Sequence, residues 1–275
     1  MGMSTILQTK KLNELSVFFP CYNEEENLPL LIEKALEIIP KVAIRYEIII
    51  VNDGSKDKTS QIAHEYAKKI PQIKVVDQKN QGYGGAVNTG FKAVQYDWVF
   101  FTDADLQFDL NELYRFVELA VENPDKEMIL GFRKIRAEGF KRALFANGMK
   151  FLNRAILGFP TDIKDIDCAF KLLRKDMVKS VLPLNSKGNL VSTEFLLRAV
   201  RTGYDYVQTG VDHFERAYGV STCGGLKDIL KVLVELVKLK FMLMKVDYSA
   251  VQPALKASVG AHCDYVSAAA FHSRV

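Results

Sequence analysis

The apolar run Trp98-Val99-Phe100-Phe101 is followed at once by Thr102-Asp103-Ala104-Asp105-Leu106-Gln107. A run that short and uninterrupted predicts a buried strand. Two carboxylates and an amide then alternate past its end. In an open α/β sheet, ligands bind at the carboxyl ends of the strands. Asp103, Asp105 and Gln107 offer hard oxygen donors, the type that Mg²⁺ or Mn²⁺ takes when it also grips phosphates. A metal–diphosphate site is one reading of the stretch. A polar turn that caps the next helix is the other.

The same strand-then-polar pattern occurs upstream. Leu15 to Phe19 reads as a first buried strand, stopped by Pro20. Asn23 can cap the following helix, with Glu24, Glu25 and Glu26 in its first turn, where the dipole favours negative charge. That helix runs through Leu30, Leu31, Ala35 and Ile38 and is expected to stop near Pro40. Tyr46 to Val51 is a second strand, ending in Asn52-Asp53-Gly54-Ser55, and Asp57 can cap the helix of Ile62, Ala63, Tyr66 and Ala67. Ile73 to Val76 is a third, followed by Asn80-Gln81-Gly82-Tyr83-Gly84-Gly85-Ala86 at the start of a helix. These glycines suit backbone approach to a phosphate or close helix–sheet packing. They match neither the Walker pattern nor the dinucleotide fingerprint.

Downstream, Leu110, Leu113, Phe116, Val117 and Ala120 have helical spacing, and Met128 to Phe132 is a strand ending in Arg133. Arg136, Lys141 and Arg142 precede or open a helix over about 140–157. Asp165 to Leu173 reads as a strand with acids at its start, Ser192 to Val200 as a helix with Glu194 early in it, and Tyr204 to Val211 as a strand. Leu226 to Lys245 predicts one long amphipathic helix. Its lysines face opposite Ile229, Leu230, Leu233, Leu236, Val237 and Phe241, which suits a membrane surface, the domain itself or a second subunit. Strands alternating with helices through about residue 132 predict an α/β fold with a mostly parallel central sheet flanked by helices.

Composition narrows the function classes. The formal charge of +4 is too small to argue for nucleic acid, and suits an anionic small ligand or an anionic membrane surface. The four cysteines form no CxxC pair, so free packing thiols are expected rather than zinc or redox chemistry. No 20-residue uncharged apolar run is present, and Met1 to Leu12 carries no signal-peptide pattern, so neither a transmembrane helix nor a secretory leader is expected.

Four segments together resemble family 2 glycosyltransferases of the GT-A fold, and within them the dolichyl-phosphate mannose synthase and polyprenyl-phosphate glycosyltransferase branch. They are Phe19 to Leu28, Val51 to Thr59, Asn80 to Ala86 and Thr102 to Gln107. Phe214-Glu215-Arg216-Ala217-Tyr218-Gly219-Val220-Ser221 also resembles the branch's Arg-x-x-Gly-x-Ser segment. The chain departs from the branch at Thr222, where Lys is frequent, and at Ala146, where Ser is common. The resemblance implies an N-terminal extension over 1–13 and a single GT-A domain over 14–245. Within it, 14–132 would be the nucleotide-sugar half and 133–245 the acceptor half, with a poorly ordered tail over 246–275.

It also implies roles. Pro20, Tyr22, Glu24 and Asp53 would line the nucleoside pocket, and Asp103 would sit by the ribose and metal. Asp105 and Gln107, with Asp103, would hold Mg²⁺ or Mn²⁺. Arg133 would face the donor diphosphate, and Arg142, Arg216 and Ser221 the acceptor phosphate. Asp103, Asp105, Arg133 and Arg216 would carry the catalysis.

The implied reaction is a metal-dependent, inverting hexosyl transfer from GDP-mannose or a UDP-hexose to dolichyl or undecaprenyl phosphate. The protein would be cytoplasmic and peripheral on the membrane, with a homodimer or a membrane-anchored partner open through the 226–245 helix. A phosphate acceptor needs no general base. A soluble or protein-linked hydroxyl acceptor is the alternative and needs one, with Asp167 and Glu194 as candidates. A sugar-phosphate nucleotidyltransferase and a non-catalytic nucleotide-sugar binder are the remaining alternatives.

Overall fold

Strand β1, Leu12–Cys21, is buried without a break from Leu15 to Cys21. Continuous burial means that both of its faces are covered, as in the middle of a sheet layered by helices. Alternate residues point to opposite sides. Phe18 joins one core cluster with Ile49, Phe91 and Phe101, whereas Val17 and Phe19 join the other with Leu31, Ile50 and Phe116. Phe18 and Phe101 stack with ring centres 5.1 Å apart, and Phe91 meets both rings edge-on.

The computed structural model describes residues 10–134, 154, 156–188, 190–216, 218 and 226–245. After β1 come α1 (Asn27–Val42), β2 (Ala43–Asn52), α2 (Thr59–Lys69), β3 (Ile73–Asp77), α3 (Tyr83–Ala93) and β4 (Trp98–Phe101). A 3-10 turn at Leu110–Glu112 leads into α4 (Leu113–Glu122) and β5 (Met128–Arg133). The chain continues with β6 (Lys171–Arg174), α5 (Lys175–Val181), α6 (Val191–Thr202), β7 (Tyr206–Val211) and α7 (Leu226–Leu243).

The seven strands form one sheet in the order β3-β2-β1-β4-β6-β5-β7. It is mostly parallel, as expected. Among the described strands, only β6 runs against its neighbours, β4 and β5. Helices α1, α2 and α4 contribute to the core on one face, and α3, α5, α6 and α7 to that on the other.

Several local expectations are corrected. β1 does not stop before Pro20 but carries it, paired with Val51. Pairing with β4 ends at Phe18–Phe101, so Pro20 has a strand on one side only, where proline is tolerated. α1 runs through Pro40 to Val42. Its last turn buries Ile38, Ile39 and Val42, and that burial outweighs one missing backbone bond. Asn23 does not cap α1, which starts at Asn27, after the glutamates rather than with them. Asp165 and Asp167 precede β6 in a loop, because the strand is only Lys171–Arg174.

In α7, Leu236, Leu239 and Leu243 are buried. Val237 and Phe241, expected on that apolar face, are exposed, as are Val234 and Met244. No described helix is long and apolar enough to cross a membrane. The expected tail over 246–275 lies outside the described residues, as does most of the helix expected over 140–157.

Candidate active site

β2, β1 and β4 are adjacent and parallel, so their carboxyl ends share one edge of the sheet. The chain moves from β1 outward to β2 and β3, then returns on β1's other side as β4. Such a reversal of strand order opens a crevice beyond the strand ends. A cleft of about 610 Å³ lies there. Its walls include Pro20, Tyr22, Glu24, Asp53, Asp103, Asp105 and Arg216, seven of the residues singled out from sequence.

The loop after β1 is tied to the loop after β2. Asn23 adopts φ 57°, a left-handed conformation that asparagine tolerates. Its side-chain oxygen accepts from Lys56 N at 2.7 Å, and its own N–H donates to Ser55 Oγ at 3.0 Å. Glu24 N donates to Thr59 Oγ1 at 2.8 Å, and Glu25 N to Asp57 Oδ2 at 3.1 Å. Asp57 Oδ1 accepts from Thr59 N at 3.0 Å, but the N-cap of α2 is the next residue, Lys58, rather than Asp57. Glu24 Oε2 accepts from Asn27 Nδ2 at 2.6 Å, and burial pushes the Glu24 carboxyl up. Asp53 Oδ1 is held by Gln78 Nε2 at 2.6 Å and Gln81 N at 2.8 Å, which joins the second loop to the glycine loop.

Past β4 the acids are held in a tight turn. Asp105 Oδ1 accepts from Gln107 N at 3.2 Å. Leu106 between them has φ 59°, an unfavourable conformation for a branched residue, of the sort that collects at functional sites. Asp105 Oδ2 accepts from Arg216 Nη2 at 2.7 Å. Tyr83 stands beside Asp103 in the cleft wall, and burial and the Asp103 charge push its hydroxyl pKa well up. Burial, reinforced by the Asp105 charge, pushes the Asp103 carboxyl up to about 7. Asp103 Oδ1 is buried with no hydrogen-bond partner among the described residues. Behind it Lys171 is fully buried, its ammonium donating to the carbonyls of Ile166 and Cys168. Burial pushes the Lys171 pKa down.

Two carboxylates at alternating positions, one with an unpartnered oxygen, fit a hard divalent cation that takes its other ligands from phosphate and water. No group of three or more His, Cys, Asp or Glu residues able to hold a metal occurs among the described residues, so such a cation would depend on its co-ligand.

Other expected site residues lie elsewhere. Arg133 makes a two-pronged pair with Asp165, Nε to Oδ2 at 2.7 Å and Nη2 to Oδ1 at 3.0 Å, and does not line the cleft. Gln107 is not a wall residue either; its Nε2 donates to Phe214 O at 2.9 Å. Arg142 and Ser221 lie outside the described residues. Of the two acids considered as bases, Asp167 is exposed. Glu194 is fully buried and occupied by Asn185 N, Ser186 N and Arg198.

Tyr83, which shares the cleft wall with Asp103, is a site residue that the sequence pattern alone does not single out. An aromatic inside a glycine run at a helix start was the available signal. The glycines themselves serve packing. Gly84 N donates to Lys187 O at 2.9 Å, and a Cβ on Gly84 would come within 2.3 Å of Ser186 O.

Residues 16–182 match glycosyl transferase family 2. Undecaprenyl-phosphate 4-deoxy-4-formamido-L-arabinose transferase of Pectobacterium atrosepticum is 30% identical over 218 residues, covering 78% of this chain and 64% of that protein. The transferase of the same name from Photorhabdus laumondii is 28% identical over 222 residues, covering 79% of this chain and 65% of that protein. The chain thus spans just under two thirds of the length of these curated relatives.

Among solved structures, glucosyl-3-phosphoglycerate synthase from Mycobacterium tuberculosis, in complex with Mn²⁺, UDP and phosphoglyceric acid, superposes with a TM-score of 0.61. It is 19% identical, and the match covers 86% of this chain and 80% of that one, so the two share the fold. A GT-A type sheet with its crevice at the β1–β4 reversal, and a sequence match running from β1 through β6, lead to one assignment: the chain belongs to glycosyl transferase family 2.

Proposed function

We propose that the chain transfers a sugar from a nucleoside-diphosphate sugar to a polyprenyl phosphate, with inversion and with Mg²⁺ or Mn²⁺ held by Asp103 and Asp105. The observation that carries this reading is the buried, unpartnered Asp103 Oδ1 beside Asp105 in the switch-point cleft. A buried carboxyl oxygen left alone in such a place is costly unless a ligand completes it. The relatives named as undecaprenyl-phosphate sugar transferases support the acceptor, and the neighbour solved with Mn²⁺ and UDP supports the donor and metal.

In this reading residues 14–132 serve the donor and 133–245 the acceptor. Pro20, Tyr22, Glu24 and Asp53 bind the nucleoside, with Asp53 oriented by Gln78 and Gln81. Tyr83 flanks Asp103 in the cleft wall. Arg216 brings positive charge to the phosphates, where charge develops as the nucleoside diphosphate departs. Arg133 is charge-balanced by its two-pronged pair with Asp165 and stands outside the cleft wall, and Arg142 and Ser221 complete the acceptor phosphate site. A bound divalent cation supplies Lewis-acid stabilisation of the leaving diphosphate. The acceptor phosphate oxygen is already anionic near neutral pH, which agrees with a site whose buried Glu194 has no oxygen to offer as a base. A polyprenyl acceptor requires work at a membrane, here its cytoplasmic face, and the exposed Val234, Val237, Phe241 and Met244 of α7 suit peripheral contact there.

The test has two arms. Thermal shift with UDP-hexoses, GDP-mannose and a UDP-linked 4-formamido pentose, each with and without Mn²⁺, identifies the donor. Saturation at ~100 times the dissociation constant adds about 2.7 kcal/mol of stability. Transfer from that donor is then assayed on undecaprenyl phosphate in vesicles and on soluble sugar and peptide hydroxyls. Metal-dependent transfer to the lipid phosphate is expected; transfer to soluble hydroxyls alone would overturn the acceptor assignment.

A further inference from the structure

Both oxygens of Asp105 are already taken. Oδ1 accepts from Gln107 N at 3.2 Å, and Oδ2 accepts from Arg216 Nη2 at 2.7 Å. Arg216 Nη1 also stands 4.0 Å from Glu24 Oε1. The guanidinium therefore lies between two carboxylates of the cleft, and the one it contacts directly is 6% exposed.

The segment that carries Arg216 is strapped to the same turn. Phe214 N donates to Gln107 O, and Gln107 Nε2 donates to Phe214 O, each at 2.9 Å. The Gln107 amide is spent on the chain itself, and Gln107 is not among the residues that wall the cleft.

We propose that Arg216 is an internal counter-ion that competes with the divalent metal for Asp105, and that Gln107 is a positioning residue that strengthens the competition by strapping residues 213–216 to the Asp105 turn. The proposal rests on the metal reading above. A bare cation entering this site must displace or share a charge-assisted hydrogen bond. A metal that arrives with a nucleoside diphosphate does not leave the guanidinium stranded, because the diphosphate offers it equivalent acceptors. Metal and nucleotide binding are then coupled, each tightening the other. The arrangement disfavours metal alone without needing any movement larger than one side chain.

Mn²⁺ binding to the full chain, followed by the loss of the free-ion electron paramagnetic resonance signal, tests this without any turnover. Wild type, Arg216→Gln and Gln107→Ala are titrated alone and then with UDP or GDP. Circular dichroism and melting temperature report that each variant is folded, and Arg216→Met repeats the measurement with a side chain that cannot hydrogen-bond. Without nucleotide, Arg216→Gln is expected to bind Mn²⁺ roughly tenfold more tightly, the size of one charge-assisted hydrogen bond. Nucleotide should then enhance Mn²⁺ binding less than in wild type. Gln107→Ala should shift in the same direction by a smaller factor.

The sign separates the roles of Gln107, since loss of a metal ligand would weaken Mn²⁺ binding. Weaker binding in Gln107→Ala overturns the strap. Unchanged or weaker nucleotide-free binding in both Arg216 variants, while wild type binds Mn²⁺ with nucleotide, overturns the competition alone. Failure of wild type to bind Mn²⁺ even with both nucleotides overturns the metal reading and this inference together.

Discussion

Glu194 is a carboxylate whose sequence position suited a general base and whose structure does not. Asn185 N donates to both of its oxygens at 3.0 Å, Ser186 N donates to Oε2 at 2.7 Å, and Arg198 Nη2 stands 2.6 Å from Oε1. Arg198 in turn donates to the carbonyls of Val181 and Pro183. The pair thus holds residues 181–186, and the adjoining Ser186 and Lys187 backbone packs on Gly84. Glu194→Ala would leave Arg198 as a nearly buried lone charge and strip two backbone N–H groups of their acceptor. Breaking a buried pair in this way costs about 3–5 kcal/mol. At roughly 2–4 °C per kcal/mol for a chain of this size class, the melting temperature should fall by roughly 10 °C.

Glu194→Gln keeps the shape and one acceptor, so it should fold with a smaller loss. Combining it with Arg198→Gln should cost less than the sum of the two, because neither charge is then left alone. Turnover of Glu194→Gln, measured below its melting temperature with saturating donor and acceptor, should stay within several-fold of wild type. Removal of a general base would instead cost roughly 100- to 10,000-fold. An unchanged melting temperature together with a loss of that size would refute the structural assignment.

Two further outcomes follow from the cleft. Gly84→Ala places a Cβ 2.3 Å from Ser186 O and 2.7 Å from Lys187 C, both backbone atoms that cannot swing away. Urea unfolding should show a loss of about 1–3 kcal/mol and titration weaker donor binding, since Tyr83 is the next residue; unchanged stability would mean that the 186–188 backbone yields freely. Asp103 has its carboxyl raised to about 7 by burial and by Asp105, so the folded protein holds this proton more tightly than the unfolded chain. Its contribution to stability therefore declines as pH rises from about 4, the unfolded value, through 7, where the folded group ionises. Asp103→Asn removes that decline: ligand-free variant and wild type should melt together near pH 4, with the variant higher at pH 8. A gap that stays constant with pH would contradict the assignment.

The strands and the acids at their ends were legible because each is a local property. Ile48 to Val51 and Trp98 to Phe101 are apolar runs too short for helices, and Asp53 and Asp103 follow them after one polar residue each. Pro20 and Pro40 misled because a local rule about breaking elements was outweighed by one-sided strand pairing and by buried isoleucines. What could not be read was who answers whom across the chain. Gly84 packs on a backbone about a hundred residues later, Arg133 pairs with Asp165, and Glu194 reaches back to Asn185.

This difference also sorts the acids by use. Asp165 and Glu194 are buried, and the chain's own cations and amides fill their oxygens, so their charges are consumed by structure. Asp103 keeps one buried oxygen without a partner among the described residues. Residue type and spacing marked Asp103 for a metal and Glu194 as a candidate base, and left Asp165 as an acid at the start of a strand. The acid that the fold leaves incomplete is the one we propose a ligand completes, because burial without a partner carries a cost that a bound cation would offset.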